Sequence, residues 1–202
     1  CSSDLMPNRL DSFASRNSED PYRLDEAGFP RDHVTEEALR FLSENKNSPF
    51  FLYYASWLVH SPLQSRSQEL LRKYCEKLGV DYPTNPKGWL LEGQRNPYYC
   101  AMVESLDHYI GKMLKYLERT DDPRWPGHKL VENTYLVFTS DNGGMEGHHE
   151  EVFTDNLPLD KGKIYIREGG IRVPFIIAGP NIPSAVESDV VVNGLDLHPT
   201  IL

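Results

Sequence analysis

The chain has 202 residues, the size of one ordinary domain, and 39% of them are hydrophobic, so it can bury a core. Its formal net charge of -9 and pI of about 5.2 argue against nucleic acid as a partner, because a surface that follows phosphates is usually basic. No apolar run reaches the roughly 18 residues of a membrane span, so no transmembrane segment is predicted.

The first element in chain order is a polar lead-in segment, residues 1–33, rich in Ser, Asp, Asn and Arg. Its opening, CSSDLMPNRL, does not begin with Met and does not resemble a signal peptide, while the chain ends inside the apolar run DLHPTIL. We therefore expect an internal fragment of a longer protein, with any targeting segment out of view.

The next elements alternate between helix and strand. A helix is predicted over 34–46, and the continuous apolar run FFLYYA at 50–55 predicts a strand buried on both faces. Residues 65–97 combine a short helical pattern with the loop DYPTNPKGW. A long helix over 97–119 follows, with an apolar stripe of Met102, Leu106, Tyr109, Ile110, Met113, Leu114 and Leu117.

Two further buried strands are predicted, TYLVFTS at 134–140 and VPFIIAGP at 173–180, before a closing stretch that predicts a short strand and a helix start. This alternation predicts an α/β fold with a largely parallel sheet sandwiched by helices. Functional groups in such sheets gather beyond the carboxyl ends of strands, and His60, Asp141 and Asn142 occupy such positions.

Three cysteines are present, Cys1, Cys75 and Cys100, and none forms a C-x-x-C pair, so the sequence does not indicate zinc. The odd number does not establish a disulfide framework. Cys75 and Cys100 could pair in an oxidising compartment, and the spacing leaves both the paired and the free state open.

Asp141 and Asn142 follow the strand at 134–140 directly, in the motif S-D-N-G-G. Their side-chain oxygens suit a hard cation such as calcium or magnesium, but two ligands are too few. The others would come from outside this chain, from a bound ligand or from water. A tight turn with no metal is the alternative, because Asn-Gly and Gly-Gly are turn signals.

His60, in WLVHSPLQ, can serve as a general acid or contact an anion, although a plain surface histidine is the alternative. Lys163, in LDKGKIYIREGG, can neutralise a tetrahedral oxyanion as a point charge. Lys161 lies two residues away, and chemistry alone does not choose between the two lysines. Either lysine could also be only a solvated charge.

The Gly-Gly pair of REGGIR is predicted to permit a close or left-handed backbone path. Glu168 and Arg172, which flank it, are predicted to form a buried pair that supports the site. The polar cluster MEGHHEE, with His148 and His149, is interpreted as a rim loop or a solvated loop. A metal site there is disfavoured because the helical H-x-x-x-H spacing is missing.

Four segments in order resemble the type I, arylsulfatase-like sulfatases of the alkaline phosphatase-like superfamily: PFFLYYASWLVHSPLQ, NTYLVFTSDNGG, TDNLPLDKGKIYIREGGIRVPFIIAGP and DLHPTIL. The resemblance runs from about residue 32 to 202 and is weakest over 65–97. It implies that residues 34–202 are the central-to-late part of one sulfatase catalytic domain, with an alkaline phosphatase-like fold that this chain contains incompletely.

The resemblance also implies site roles. Asp141 and Asn142 match the family's calcium ligands, which implies one Ca²⁺ whose remaining ligands lie outside this chain. His60 matches the histidine that contacts the sulfate ester and helps protonate the leaving group. Lys163, five residues before the E-G-G glutamate, matches the lysine that binds sulfate; Lys161 does not. The family commonly has G-G-K-G-T where this sequence has K-G-K-I-Y.

The remaining catalytic parts of the family are expected upstream of this chain. They are an Asp-Asp pair, a G-K-W-H-like motif, and a Cys or Ser in C/S-x-P/A-x-R that becomes formylglycine. None of the three cysteines fits that motif. SFASR at 12–16 matches formally but lies too near the 50–55 run and lacks the following T-G, so we interpret Ser12 as a coincidence.

The resemblance implies hydrolysis of sulfate esters, those of sugars included, in two steps through a calcium-assisted formylglycine nucleophile. The isolated fragment is expected to be inactive. The expected partner is a sulfated small molecule or carbohydrate, and the expected location is extracytoplasmic: periplasmic, secreted or lysosomal. Two alternatives stay open, a phosphodiesterase or phosphonate hydrolase of the same superfamily, and a non-catalytic calcium-binding or interaction domain.

Overall fold

A computed structural model of the chain describes residues 13–60, 63–82, 94–146 and 153–201. In chain order its elements are α1 (His33–Asn45), α2 (Gln68–Leu78), α3 (Pro97–Arg119), a 3-10 helix (Leu130–Asn133), β1 (Leu136–Thr139), α4 (Glu168–Ile171), β2 (Phe175–Ala178) and α5 (Gly194–Ile201). Within these ranges, no helix combines the length and the apolar character that a membrane crossing requires.

Capping residues mark the ends of the helices. Asp32 caps α1 by accepting a hydrogen bond from a backbone N–H of the first turn, and Ser67 and Asn96 do the same for α2 and α3. Pro97 at the start of α3 needs no N–H partner there. Gly79 ends α2 in the left-handed conformation, at φ 63°. These caps place the two long predicted helices where the sequence pattern predicts them.

Helix α3 forms the centre of the packing, in contact with α1, α2 and the 3-10 helix. Four residues of the predicted apolar stripe are buried, and the other three are partly buried. The buried face also includes residues that the stripe omitted. Its buried apolar members are Tyr98, Ala101, Met102, Tyr109, Met113 and Leu117.

Strands β1 and β2 pair antiparallel, with Leu136 opposite Ala178 and Thr139 opposite Phe175. The described residues therefore contain helices and a strand pair, as an α/β fold requires, but not the predicted parallel sheet. The prediction that both strands are covered on two faces is also wrong for the described part of the chain. Phe138 is 40% exposed and Ile176 59% exposed, because no second layer of this part covers the pair.

The run at 50–55 is not a strand, contrary to the prediction, because it forms no ladder with another described segment. Its burial nevertheless alternates: Phe51 and Tyr53 are exposed, while Leu52 packs beside the cluster of α1 and α3. That period of two is typical of extended chain with one covered side. At the other end, α5 confirms the predicted helix, whereas the short strand predicted just before it does not form among the described residues between β2 and α5.

The described part of the lead-in segment, from residue 13, packs against α3. The carboxylate of Asp25 accepts hydrogen bonds from Phe29 N at 3.0 Å and contacts His108 Nε2 at 2.8 Å. Tyr109 Oη donates to Pro30 O at 2.7 Å. The polar character of this segment therefore reflects a network of hydrogen bonds to the helical core.

Cys75 and Cys100 are both free, so the pairing that the sequence left open is not formed. Cys75 is buried among apolar side chains of α2 and α3, and Cys100 is half-buried. Burial raises the pKa of both thiols, which makes them poor nucleophiles at neutral pH.

Candidate active site

Two predicted site residues meet directly. Lys163 Nζ lies 2.9 Å from His60 Nε2. With Lys163 as an ammonium group, Nζ donates and Nε2 accepts, which places the imidazole proton on Nδ1 in this state. His60 is exposed and Lys163 partly exposed, so both side chains are open to an incoming anion.

His60 is held by a turn that starts at Trp57. His60 N donates to Trp57 O at 2.9 Å, and Leu58 N donates to Ser56 Oγ at 3.2 Å. The middle residues of the turn, Leu58 and Val59, pack against the buried clusters around α2 and α3. The core therefore anchors the turn and leaves its outer residues facing solvent.

The loop of Lys163 is fastened to the loop that follows β1. Lys163 N donates to Gly144 O at 2.8 Å, and Gly143 N donates to Gly170 O at 2.9 Å. These bonds join the D-N-G-G and K-G-K…E-G-G segments through their backbones. Asp141 and Asn142 thus begin a segment that is hydrogen-bonded to the backbone of Lys163.

The backbones of the D-N-G-G, K-G-K and E-G-G segments approach each other so closely that side chains would not fit between them. A Cβ on Gly143 would lie 1.7 Å from Gly169 O, and a Cβ on Gly169 would lie 1.7 Å from Lys161 O. Both contacts are with backbone atoms, which cannot rotate away. The glycines are therefore required by close approach, as predicted for the second pair, and the first pair does more than form a local turn.

Sequence reasoning missed Asn156, whose amide ties these loops together. Asn156 Nδ2 lies 3.1 Å from Gly144 O, 3.1 Å from Glu146 Oε2 and 3.2 Å from Lys161 O. Its backbone N–H donates to the same Glu146 oxygen at 2.7 Å. No motif marks this asparagine in the sequence, because its partners come from two separate loops.

The structure separates the two candidate lysines. Lys161 has a left-handed backbone, at φ 63°, and its ammonium group lies 5.6 Å from the centre of the Tyr165 ring. Lys163 points instead to His60. The loop conformation therefore directs the two charges to different places, although only one residue lies between them.

Asp141 and Asn142 follow β1 at its carboxyl end, as predicted. Asp141 is exposed, and its carboxylate receives a long contact of 3.5 Å from Ser140 Oγ. Asn142 Nδ2 donates to Gly143 O at 3.0 Å, which leaves Oδ1 as the amide atom available to a cation. The described residues hold no group of three or more metal-ligating side chains. Two oxygen ligands fit part of a shared site for a hard cation.

Of two further predictions near the site, one is wrong and the other concerns residues outside the described ranges. Arg172 Nη1 and Glu168 Oε2 do pair, at 3.6 Å, but the side chains are 70% and 60% exposed, so the prediction of a buried pair is wrong. The pair spans one turn of α4 at the surface, where its energetic contribution is small. His148 and His149 lie outside the described residues.

Comparison with known proteins agrees with the family that the sequence motifs resemble. The sulfatase family model matches residues 7–202, which is nearly the whole chain. The chain belongs to the sulfatase family. The family relation also makes the alkaline phosphatase-like α/β fold the architecture to which these elements belong.

Curated relatives of this sulfatase chain are similar at about a third of positions. A sulfatase of Formosa agariphila is 32% identical over 92% of the chain. The N-acetylglucosamine-6-sulfatases of Bos taurus and Homo sapiens are 31% and 32% identical over 85% of it. The chain spans only about a third of the length of these relatives, 31% to 32%.

Proposed function

We propose that the full-length protein hydrolyses sulfate esters and that His60 and Lys163 belong to its active site. The observation that carries this proposal is the 2.9 Å contact between Lys163 Nζ and His60 Nε2 beside the loop of Asp141 and Asn142. A cation and an imidazole at one exposed point suit a group that carries charge on several oxygens. Family membership of the chain supports sulfate as that group.

Lys163 binds the sulfate oxygens of the ester in this proposal. Its Nζ exchanges the hydrogen bond to His60 for one to an anionic oxygen, which is the stronger partner because charge assists the bond. Nε2 of His60, released from Lys163, takes up a proton from solvent, and the resulting imidazolium donates that proton to the oxygen of the departing alcohol as general acid. The short distance between the two side chains in the structure lets one ester contact both of them.

Asp141 and Asn142 supply two ligands of one calcium ion. The fit rests on the exposed carboxylate of Asp141, on Oδ1 of the half-buried Asn142 and on the backbone bonds that fasten this loop to Lys163. The cation stabilises negative charge on the transferring group when bound. The ligands that complete its coordination come from outside this chain.

The rest of the catalytic unit lies outside this chain in our proposal. Residues 34–202 are the central-to-late part of one catalytic domain, and β1 and β2 join a larger, largely parallel sheet. The exposed apolar side chains on both strands support that placement, because such surfaces are usually covered. A formylglycine upstream supplies the nucleophile, the isolated chain is inactive, and the protein works in an extracytoplasmic compartment.

We propose a sulfated carbohydrate as the substrate class. Two relatives that match 85% of the chain are named for the sulfate of N-acetylglucosamine. The matched 85% of the chain includes both His60 and Lys163. The similarity to these relatives therefore extends over the proposed site residues. A phosphodiester or phosphonate substrate is the second candidate, because the same cationic groups also bind phosphoryl oxygens.

The test uses the full-length protein with three substrates: nitrophenyl sulfate, sulfated N-acetylglucosamine and a bis-nitrophenyl phosphate. We expect turnover of the sulfates and an aldehyde at the nucleophile when its tryptic peptide is analysed by mass spectrometry. Turnover of the phosphate alone, with an unconverted residue, would replace sulfate by phosphoryl transfer. Calcium binding without turnover of any of the three would indicate a non-catalytic domain.

A further inference from the structure

Trp57 lies beside the paired His60 and Lys163, and the reactions described above do not use it. The indole ring centre is 5.0 Å from the centre of the His60 ring, and the two ring planes are tilted by 48°. Trp57 is 51% exposed, so a large part of the ring is open to solvent. An exposed indole of this kind provides a broad apolar surface next to the reacting groups.

The turn fixes the indole relative to the site. The hydrogen bond from His60 N to Trp57 O closes the turn at 2.9 Å, and the packing of Leu58 and Val59 in the core prevents it from rotating as a unit. The turn therefore holds the backbone of Trp57 in a fixed position relative to that of His60. A rigid aromatic side chain costs little conformational entropy when a ligand packs against it.

We propose that Trp57 determines substrate specificity by packing against the apolar face of the sugar ring of the sulfated substrate. This inference rests on the proposed function. When Lys163 binds the sulfate and His60 reaches the ester oxygen, the alcohol part of the substrate extends over the neighbouring surface, where the indole lies. The negative face of the indole attracts the weakly positive C–H groups of a sugar ring. Trp57 thus recognises the leaving alcohol, and Lys163 recognises the sulfate.

A purely structural role for Trp57 makes a different prediction. Phe51 and Tyr53 lie at even spacing before it in the chain, and both are exposed, at 68% and 80%. If the remainder of the protein covers this whole row, Trp57 contributes to stability in the same way as Tyr53. The two roles therefore separate when substrate affinity and thermal stability are measured on the same variants.

The experiment compares Trp57→Ala and Trp57→Phe in the full-length protein. Two controls accompany them: Tyr53→Ala, and Trp125→Ala, which removes a 44% exposed indole that stacks on His128 in another loop. We expect Trp57→Ala to raise KM for sulfated N-acetylglucosamine roughly tenfold with kcat changed by less than about twofold. Trp57→Phe should keep most of the affinity. The Ki of inorganic sulfate, which has no ring, should stay unchanged.

An unchanged KM in Trp57→Ala would overturn the inference while leaving sulfate ester hydrolysis intact. A parallel rise in KM and in the sulfate Ki, or a loss of Tm as large as that of Tyr53→Ala, would also overturn it, because the ring would then be structural. A wild-type protein that hydrolyses no sulfate ester would overturn the proposed function itself and this inference with it.

Discussion

Lys163 Nζ lies 2.9 Å from His60 Nε2, although 103 positions separate the two residues in the chain. The contact depends on two separate anchors. The turn of His60 is attached to the helical core, whereas the loop of Lys163 is attached through backbone hydrogen bonds to the segment after β1. A site assembled in this way is sensitive to changes in either anchor.

Removal of the Lys163 ammonium should lower turnover much more than removal of Lys161. We expect Lys163→Ala to reduce kcat/KM for a sulfate ester of the full-length protein roughly a hundredfold or more, since it deletes a charge aimed at the transferring group. Lys161→Ala should change it by less than about threefold, because that ammonium lies over Tyr165. Equal losses in the two variants would contradict the assignment of Lys163.

Calcium should stabilise the full-length protein after metal has been stripped from it. At a calcium concentration one hundred times Kd, the free energy of unfolding should rise by about 2.7 kcal/mol if only the folded state binds. Asp141→Ala should lose both this shift and activity, because it removes an exposed carboxylate ligand at the end of β1. Differential scanning calorimetry with and without calcium measures the shift.

The matched control for Asp141 is Asp107→Ala, which removes an exposed carboxylate from α3. This variant should keep both the calcium shift and turnover. If Asp141→Ala retained the calcium shift, the metal assignment of Asp141 would be wrong.

Gly143→Ala should destabilise the protein and impair catalysis together. The added Cβ would lie 1.7 Å from Gly169 O, so the backbone of one loop must move. We expect a loss of about 1–3 kcal/mol in the free energy of unfolding, typical of an added methyl group without space. Thermal unfolding and a sulfate ester assay on the full-length protein measure the two effects.

Gly111→Ala provides the opposite case in the same chain. A Cβ on Gly111, inside α3, meets no described atom within 4 Å. Alanine is the better helix former, so we expect a gain of about 0.5–1 kcal/mol and unchanged turnover. If Gly143→Ala proved as harmless as Gly111→Ala, the close approach of the two loops would not exist in solution.

Asp25 should contribute stability at neutral pH that is lost in acid. Burial raises the pKa of this carboxyl, but hydrogen bonds from Phe29 N and His108, with the charges of His108 and Lys112, outweigh burial and hold the pKa below its ordinary value. The unfolded chain therefore binds the proton more readily, and the contribution is present above the ordinary carboxyl pKa and disappears as pH falls through the folded pKa.

The variant Asp25→Asn should accordingly be less stable than wild type by about 1–3 kcal/mol at neutral pH, because it weakens charge-assisted hydrogen bonds. The difference should narrow as pH falls from about 5 towards about 3. Thermal unfolding at several pH values measures it, with the exposed Asp107→Asn as control. A constant difference at all pH values would assign the effect to packing and not to the charge.

The sequence by itself determined α1, α2 and α3 and marked the candidate site residues, whereas the 3-10 helix and α4 were not predicted. The spacing of apolar residues and the capping residues Asp32 and Asn96 are local properties, so α1 and α3 begin where the pattern places them. Family-specific spacing also favours Lys163 over Lys161. Roles for Asp141, Asn142, His60 and Lys163 stay predictions that the experiments above test.

Only the tertiary structure decided which groups meet. Lys161 and Lys163 are chemically alike, and the left-handed backbone at Lys161 and the turn at His60 separate them. Strand direction likewise depends on segments far apart in the chain, whereas the bonds of Asn156 depend on how neighbouring loops fold against each other. Local sequence encodes helix propensity and capping. The contacts between the loops are made largely by backbone atoms, and every residue carries the same backbone atoms. The sequence therefore does not mark these contacts.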